Sequence, residues 1–224
     1  MITTPDLIDT LATNVPPVRT LRRPTMRAAG WVVFAALILG LLSVSEGFRP
    51  DLVSILRDPM FDLRVAGALF TGVLAAAAAF MVSLPDRSRL WLLLPLPALA
   101  LWLSTIGYQC ITDWISVEPE GMHLGEAAQC FATLVLTSAP LSLAMLIMVR
   151  YAAPLRPVTV SLIGSLAVAG FTAVALSLFH AIDATLMILV WNLGTAAIFA
   201  ALAGALGKKM FAWVGPRPSI GRST

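Results

Sequence analysis

The sequence predicts an all-α, polytopic membrane protein: a six-transmembrane-helix bundle with both termini in the cytoplasm and a short amphipathic helix at the N-terminus. Three observations predict it. Hydrophobic residues make up 58% of the 224 and charged residues 12%, where soluble domains carry about 25% charged residues; the mean hydropathy is +0.88. The apolar residues gather into six continuous runs, each near the roughly 20 residues a helix needs to cross hydrocarbon. Basic residues, finally, segregate to alternate connections. Together these exclude a soluble enzyme, a fibre and a disordered tail. Two cysteines are too few for a disulfide framework, and continuous rather than alternating apolar runs exclude a β-barrel.

The chain divides into a cytoplasmic arm over 1–27, a transmembrane domain over 28–206 and a basic cytoplasmic tail over 207–224. In the arm, Thr4-Pro5-Asp6 reads as a helix start, with Thr4 as N-cap, Pro5 in the first helical position and an acid at the positive dipole end. Leu7, Ile8 and Leu11 then share a face from which Asp6 and Asp9 turn away, and Pro16-Pro17 ends the segment. Two to three turns are marginal alone in water, so such a helix is stable when its apolar face docks. Two acids without a base disfavour anionic headgroups as the dock. A groove on a cytoplasmic protein fits better.

The spans are expected at 28–44, 64–84, 90–108, 127–149, 158–179 and 185–206. The first is a signal anchor, its entry marked by Arg22, Arg23 and Arg27, with no small-residue cleavage site after Gly40. Between the first two spans, Arg49 to Phe61 reads as an interfacial amphipathic connector with Leu52, Ile55 and Leu56 on one face, stopped by Pro59. Pro95 and Pro97 bend the start of the third span and Pro140 kinks the fourth. Four-residue rows of small side chains predict close helix contacts: Ala68, Gly72 and Ala76; Ser161, Ser165, Ala169 and Ala173; Ala196, Ala200 and Gly204.

All but three of the 15 Lys and Arg residues fall on one side of this arrangement. The exceptions are Arg49, Arg57 and Arg64. The positive-inside rule therefore places both termini in the cytoplasm. The isoelectric point near 9.3 reflects this bias, so direct nucleic-acid binding is not expected. Trp31, Trp91, Trp114 and Trp213 read as interfacial anchors. The centres of the spans hold no charged residue. Asn192, beside Trp191, is the most conspicuous polar group and reads as an interhelical hydrogen bond. Neither a hydrolase constellation nor a phosphate loop is present, and no resident cofactor is expected.

Both cysteines and both histidines lie on the extracytoplasmic side: Cys110 ends the third span, His123 follows in the loop, Cys130 begins the fourth span and His180 ends the fifth. Asp113, Glu118, Glu120, Glu126 and Asp183 surround them. Thiolate, imidazole and carboxylate are ligands for soft or borderline metals, so Cys110, Cys130, His123, His180 and Asp183 are candidates to bind a heavy-metal ion transiently. Three readings of the cysteines stay open. They form a structural disulfide, whose loop of about 20 residues would contribute roughly 3 kcal/mol; they are a redox- or metal-responsive pair; or they are inert. A Cys-x-x-Cys redox pair is missing.

Several segments, taken in order, resemble a known family. They are Asp6-Leu7-Ile8-Asp9-Thr10-Leu11-Ala12 with Val15-Pro16-Pro17-Val18, Phe48-Arg49-Pro50-Asp51-Leu52, Pro85-Asp86-Arg87-Ser88-Arg89, Asp113-Trp114, and Leu124-Gly125-Glu126 followed by Cys130. The chain resembles the NrsF-type negative regulators of sigma-F, bacterial inner-membrane anti-sigma factors. The resemblance implies that Asp6, Leu7, Ile8, Asp9 and Leu11 contact an extracytoplasmic-function sigma factor, and that Cys110 and Cys130 sense heavy metal or oxidant. In that pattern a further cysteine follows the histidine corresponding to His180; here Ala181 stands in its place. Two rival readings are a small-molecule or metal transporter and a membrane thiol oxidoreductase.

Overall fold

A computed structural model describes residues 3–13, 22–115, 124–150 and 157–179, with isolated positions at 198 and 201. Every regular element among them is helical. In order these are α1 (Thr4–Thr13), α2 (Pro24–Glu46), α3 (Leu52–Ile55), α4 (Pro59–Val82), a 3-10 turn (Arg89–Leu93), α5 (Leu96–Ile115), α6 (Leu124–Arg150) and α7 (Pro157–Phe179). Five of the described helical stretches are long and apolar enough to cross a membrane: Pro24–Glu46, Pro59–Val82, Arg89–Ile106, Phe131–Val149 and Thr159–Phe179. They coincide with the first five expected spans. The sixth, 185–206, and the tail over 207–224 lie outside the described residues.

The second span starts earlier than expected. Pro59 does not merely stop the connector; it opens α4, with Asp58 as N-cap accepting the Met60 amide at 3.0 Å. Proline is favoured in the first helical turn because an amide there has no helical acceptor. The same proline therefore ends one element and begins the next. Only one short turn, α3, stands between, with Leu52 and Ile55 half-buried and Leu56 exposed. The prolines of the third span act as expected: the chain runs through a 3-10 turn, then Leu94 and Pro95, and α5 begins at Leu96. Pro140 sits inside α6.

The helices run up and down. Arg27 near the start of α2 meets the ends of α4 and α6, whereas Arg49 beyond its other end meets the end of α7. At the centre α4 packs against α7, with α2 against both, α6 against α7 and α2, and α5 against α4. The larger core joins Trp31, Ala35, Phe80, Leu141, Met145, Val160, Ala167 and Phe171. A smaller one joins Ala68, Trp102, Ile106, Ala173 and Val174.

The row Ala68, Gly72 and Ala76 does form a helix contact, each residue being buried. On α7 the predicted row meets it only through its second half: Ala169 and Ala173 are buried, Ala173 in one cluster with Ala68. Ser161 and Ser165 are half-buried, and a close backbone approach is at Gly170, where a methyl group would stand 2.7 Å from Ala68 O and 2.8 Å from the Gly72 backbone. The reason is that α7 is buried on every face from Ala167 to Ser177, so no single row of small residues marks its contact side.

Candidate functional site

Helix α1 is built as a capped, exposed arm. Its N-cap is Thr3 rather than Thr4. The Thr3 carbonyl accepts the Leu7 amide at 3.0 Å, and the Thr3 amide and hydroxyl both donate to the Asp6 carboxylate, the amide at 3.3 Å. Asp6 thus sits three residues in and reaches back, as a capping-box acid does. Pro5 is consequently one place further into the helix than expected. These bonds favour the ionised form and hold the Asp6 carboxyl below its ordinary value. At the other end, the Thr13 hydroxyl donates to the Asp9 carbonyl at 2.7 Å.

The face predicted to dock is open. Leu7 is 49% and Ile8 60% exposed, with Asp6 and Asp9 exposed beside them. Leu11 lies one turn further along the same helix. The remaining predicted site residues are described in part or not at all. Cys110 lies within about two turns of the end of α5 and Cys130 within about two turns of the start of α6, so the two flank the same connection in the chain. Their side chains, with all of His123, His180 and Asp183, fall outside the described residues, as do Asn192, Trp191 and Trp213. Among the described residues no three His, Cys, Asp or Glu side chains gather as a metal site.

What lies at that end of the bundle is an ion-paired clamp. The Arg49 guanidinium is buried and donates to both carboxylate oxygens of Asp51, Nε at 2.7 Å and Nη2 at 2.8 Å. A planar fork on a carboxylate is the strong form of this pair, and it holds the Asp51 carboxyl below its ordinary value. The Arg49 amide donates to Leu178 O at 3.2 Å, and Phe48 rests on Phe179 with ring centroids 6.0 Å apart. The segment Phe48-Arg49-Pro50-Asp51 therefore fastens the α2–α4 connector to the last turn of α7, immediately before His180 in the sequence.

At the opposite end, sequence reasoning missed two residues. Trp31, expected as an interfacial anchor, is fully buried: its Nε1 donates to Leu141 O at 3.2 Å, and its ring stands edge-on to Phe171 at 5.4 Å and 83°. Its placement follows from α2 itself, whose buried face runs Ala28, Trp31, Ala35 and Leu42, a helical 3–4 spacing. That spacing was the available signal. Trp91 is half-buried against the core edge. Arg27 is 7% exposed, lies over Phe80 with Cζ 5.1 Å from the ring centroid, and donates through Nη2 to Met148 O. That carbonyl belongs to the last turn of α6, where helices leave acceptors unpaired and favour cations.

Between the two ends the described interior is chemically quiet. The hydroxyls of Thr71, Thr105, Thr137 and Thr172 donate to carbonyls three or four residues earlier in their own helices, at 2.7 to 2.9 Å. Such back-bonding satisfies a buried hydroxyl without a neighbour. It leaves these groups uncommitted to any interhelical ligand.

No match was found among curated proteins or solved structures. The family described as NrsF, Negative regulator of sigma F, matches over residues 11–213, a stretch that includes Leu11 and begins just after Asp6, Leu7, Ile8 and Asp9. With most of its length matched, the chain belongs to the NrsF family of negative regulators of sigma F.

Proposed function

We propose that the protein is a membrane-embedded anti-sigma factor whose α1 holds an extracytoplasmic-function sigma factor at the cytoplasmic face and releases it on an extracytoplasmic signal. The observation that carries this reading is the open face of α1: a helix whose first turn is capped, with Leu7 and Ile8 presented to solvent between two acids. A short helix gains its stability by docking such a face, and amphipathic helices enter protein grooves through this spacing of anchors. Membership of a family that regulates a sigma factor supports that partner class. The bundle, completed by a sixth span over 185–206, lies in the bacterial inner membrane with both termini inside, following the positive-inside bias.

The signal side is the end carrying Cys110 and Cys130. Metal or oxidant acting on that thiol pair, with His123, His180 and Asp183 as further ligands, favours a bundle state with lower affinity for sigma. Without differential affinity nothing is transmitted. On this reading the protein is a regulator with no enzymatic step and no resident cofactor.

The test is a detergent pull-down of the tagged full-length protein from its native cell, identified by mass spectrometry. A sigma factor retained by the wild type and lost from the Leu7→Asp, Leu11→Asp variant is the expected result. A well-folded wild type that retains no sigma factor rejects the reading. Protein-dependent substrate uptake into vesicles would replace it with transport.

A further inference from the structure

We infer that Arg27 and Trp31 are positioning residues that couple the position of α6 to the start of α2, the span that follows the N-terminal arm. The inference rests on the reading of α1 as the partner-binding arm and supplies its means of regulation. Both side chains sit in the first turns of α2, the helix that follows the arm, and both donate to backbone carbonyls of α6. Trp31 Nε1 donates to Leu141 O at 3.2 Å and the Arg27 guanidinium to Met148 O. A carbonyl acceptor reports where the backbone is, whatever side chain occupies the position. The two acceptors also fall on one side of Pro140, Leu141 being the next residue.

Pro140 removes an amide donor from the ladder of α6 and clashes with the preceding turn, so the halves of the helix need not share an axis. The half before the proline carries Cys130. The half after it is held by α2 at two points. Trp31 does not follow a shift of Leu141 by changing rotamer, because its ring is fully buried and braced edge-on by Phe171. A displacement of the second half of α6 must therefore move the start of α2 or break the Trp31 bond.

Arg27 makes the second outcome accessible. Its Nη1 is buried without a hydrogen-bond partner among the described residues, so the seat formed by Phe80 and Met148 O satisfies the guanidinium only in part. A partly satisfied buried charge is costly. One turn from the end of a span, a long basic side chain has an alternative, extending to the headgroup layer, as its exposed neighbours Arg22 and Arg23 are free to do. The seat is thus a two-position element at the base of the arm.

The test uses the full-length protein in lipid nanodiscs and amide hydrogen exchange over residues 24–31. Pro140→Ala restores the amide to the ladder of α6; it is expected to change exchange over 24–31 by about tenfold, the size of one charge-assisted hydrogen bond. In the Arg27→Gln, Trp31→Phe background that response is expected to vanish, and in Gly40→Ala, where no atom of the described residues lies within 4 Å of the added methyl, to persist. Should the double variant fail to fold, Trp31→Phe and Arg27→Lys alone are each expected to reduce it. A response that persists without both side chains, or is absent from the wild-type background, overturns the coupling. Sigma retention by the same preparations separates the two readings. Retention without the exchange response rejects the coupling and keeps the arm, whereas the response without retention rejects the arm and keeps the coupling.

Discussion

Gly170 and Gly72 meet backbone to backbone: a β-carbon added to Gly170 would stand 2.8 Å from both the amide nitrogen and the α-carbon of Gly72. No flexible side chain is there to give way. Gly170→Ala is therefore expected to force α4 and α7 apart and to cost on the order of 2 kcal/mol, although alanine is the better helix former by about 1 kcal/mol. Gly40→Ala, with open space around it among the described residues, is expected to be neutral or slightly stabilising. Thermal unfolding of both variants in detergent, scored by loss of helix signal, checks the pair.

Trp31 offers a way to separate packing from hydrogen bonding. Trp31→Phe keeps most of the ring against Phe171 but removes the donor to Leu141 O, with an expected cost of about 1 kcal/mol. Trp31→Ala empties a fully buried site and is expected to cost about 3 to 5 kcal/mol. Were Trp31 an interfacial anchor, the two variants would differ little, and equilibrium unfolding decides between these outcomes.

The arm carries its own pH signature. The Asp6 carboxyl is held below its ordinary value of 3.8 by the Thr3 hydroxyl and amide. The stabilisation of the helix start is thus fully present above the unfolded value and is lost as pH falls through the lowered one. Carbon-13 NMR of labelled aspartate is expected to place the Asp6 midpoint below 3.8, and Thr3→Ala to return it towards the ordinary value. A midpoint unmoved by Thr3→Ala would remove Thr3 as the cap.

The Arg49–Asp51 clamp titrates in the same sense. Arg49 donates to Asp51 and lowers its carboxyl, so the clamp holds above the ordinary carboxylate range and weakens in acid below it. Asp51→Asn retains one acceptor of two and is expected to speed amide exchange around Phe48 to Leu52 and at the end of α7. The arm and its partner contact should be unaffected. Exchange confined to the substituted residue would show that the clamp does not fasten α7.

Five spans were legible in the sequence to within a few residues, because uncharged length alone specifies a helix in hydrocarbon. The departures have local causes. Asp58-Pro59 carries both a stop and a start, and only the cap geometry shows that it opens α4 at residue 59 rather than 64. Proximity to Arg22, Arg23 and Arg27 suggested an interfacial Trp31, while its spacing with Ala28, Ala35 and Leu42 pointed to the core. Gly170 escaped notice because a helix buried on all faces offers no polar side to orient it. The arm was legible as a helix with an exposed apolar face, but Thr3 and Thr4 differ as caps only through which carbonyl accepts the Leu7 amide. Of the proposed sensing residues, Cys110 and Cys130 are placed on α5 and α6, as their positions in the sequence had indicated.

The closed hydroxyls of the described spans have a physiological corollary. Thr71, Thr105, Thr137 and Thr172 each return their proton to their own helix, so these groups do not line up into a relay along which a proton or ion hops from face to face. On the proposed reading, the outer signal is passed inward by the placement of the helices and not through these four hydroxyls.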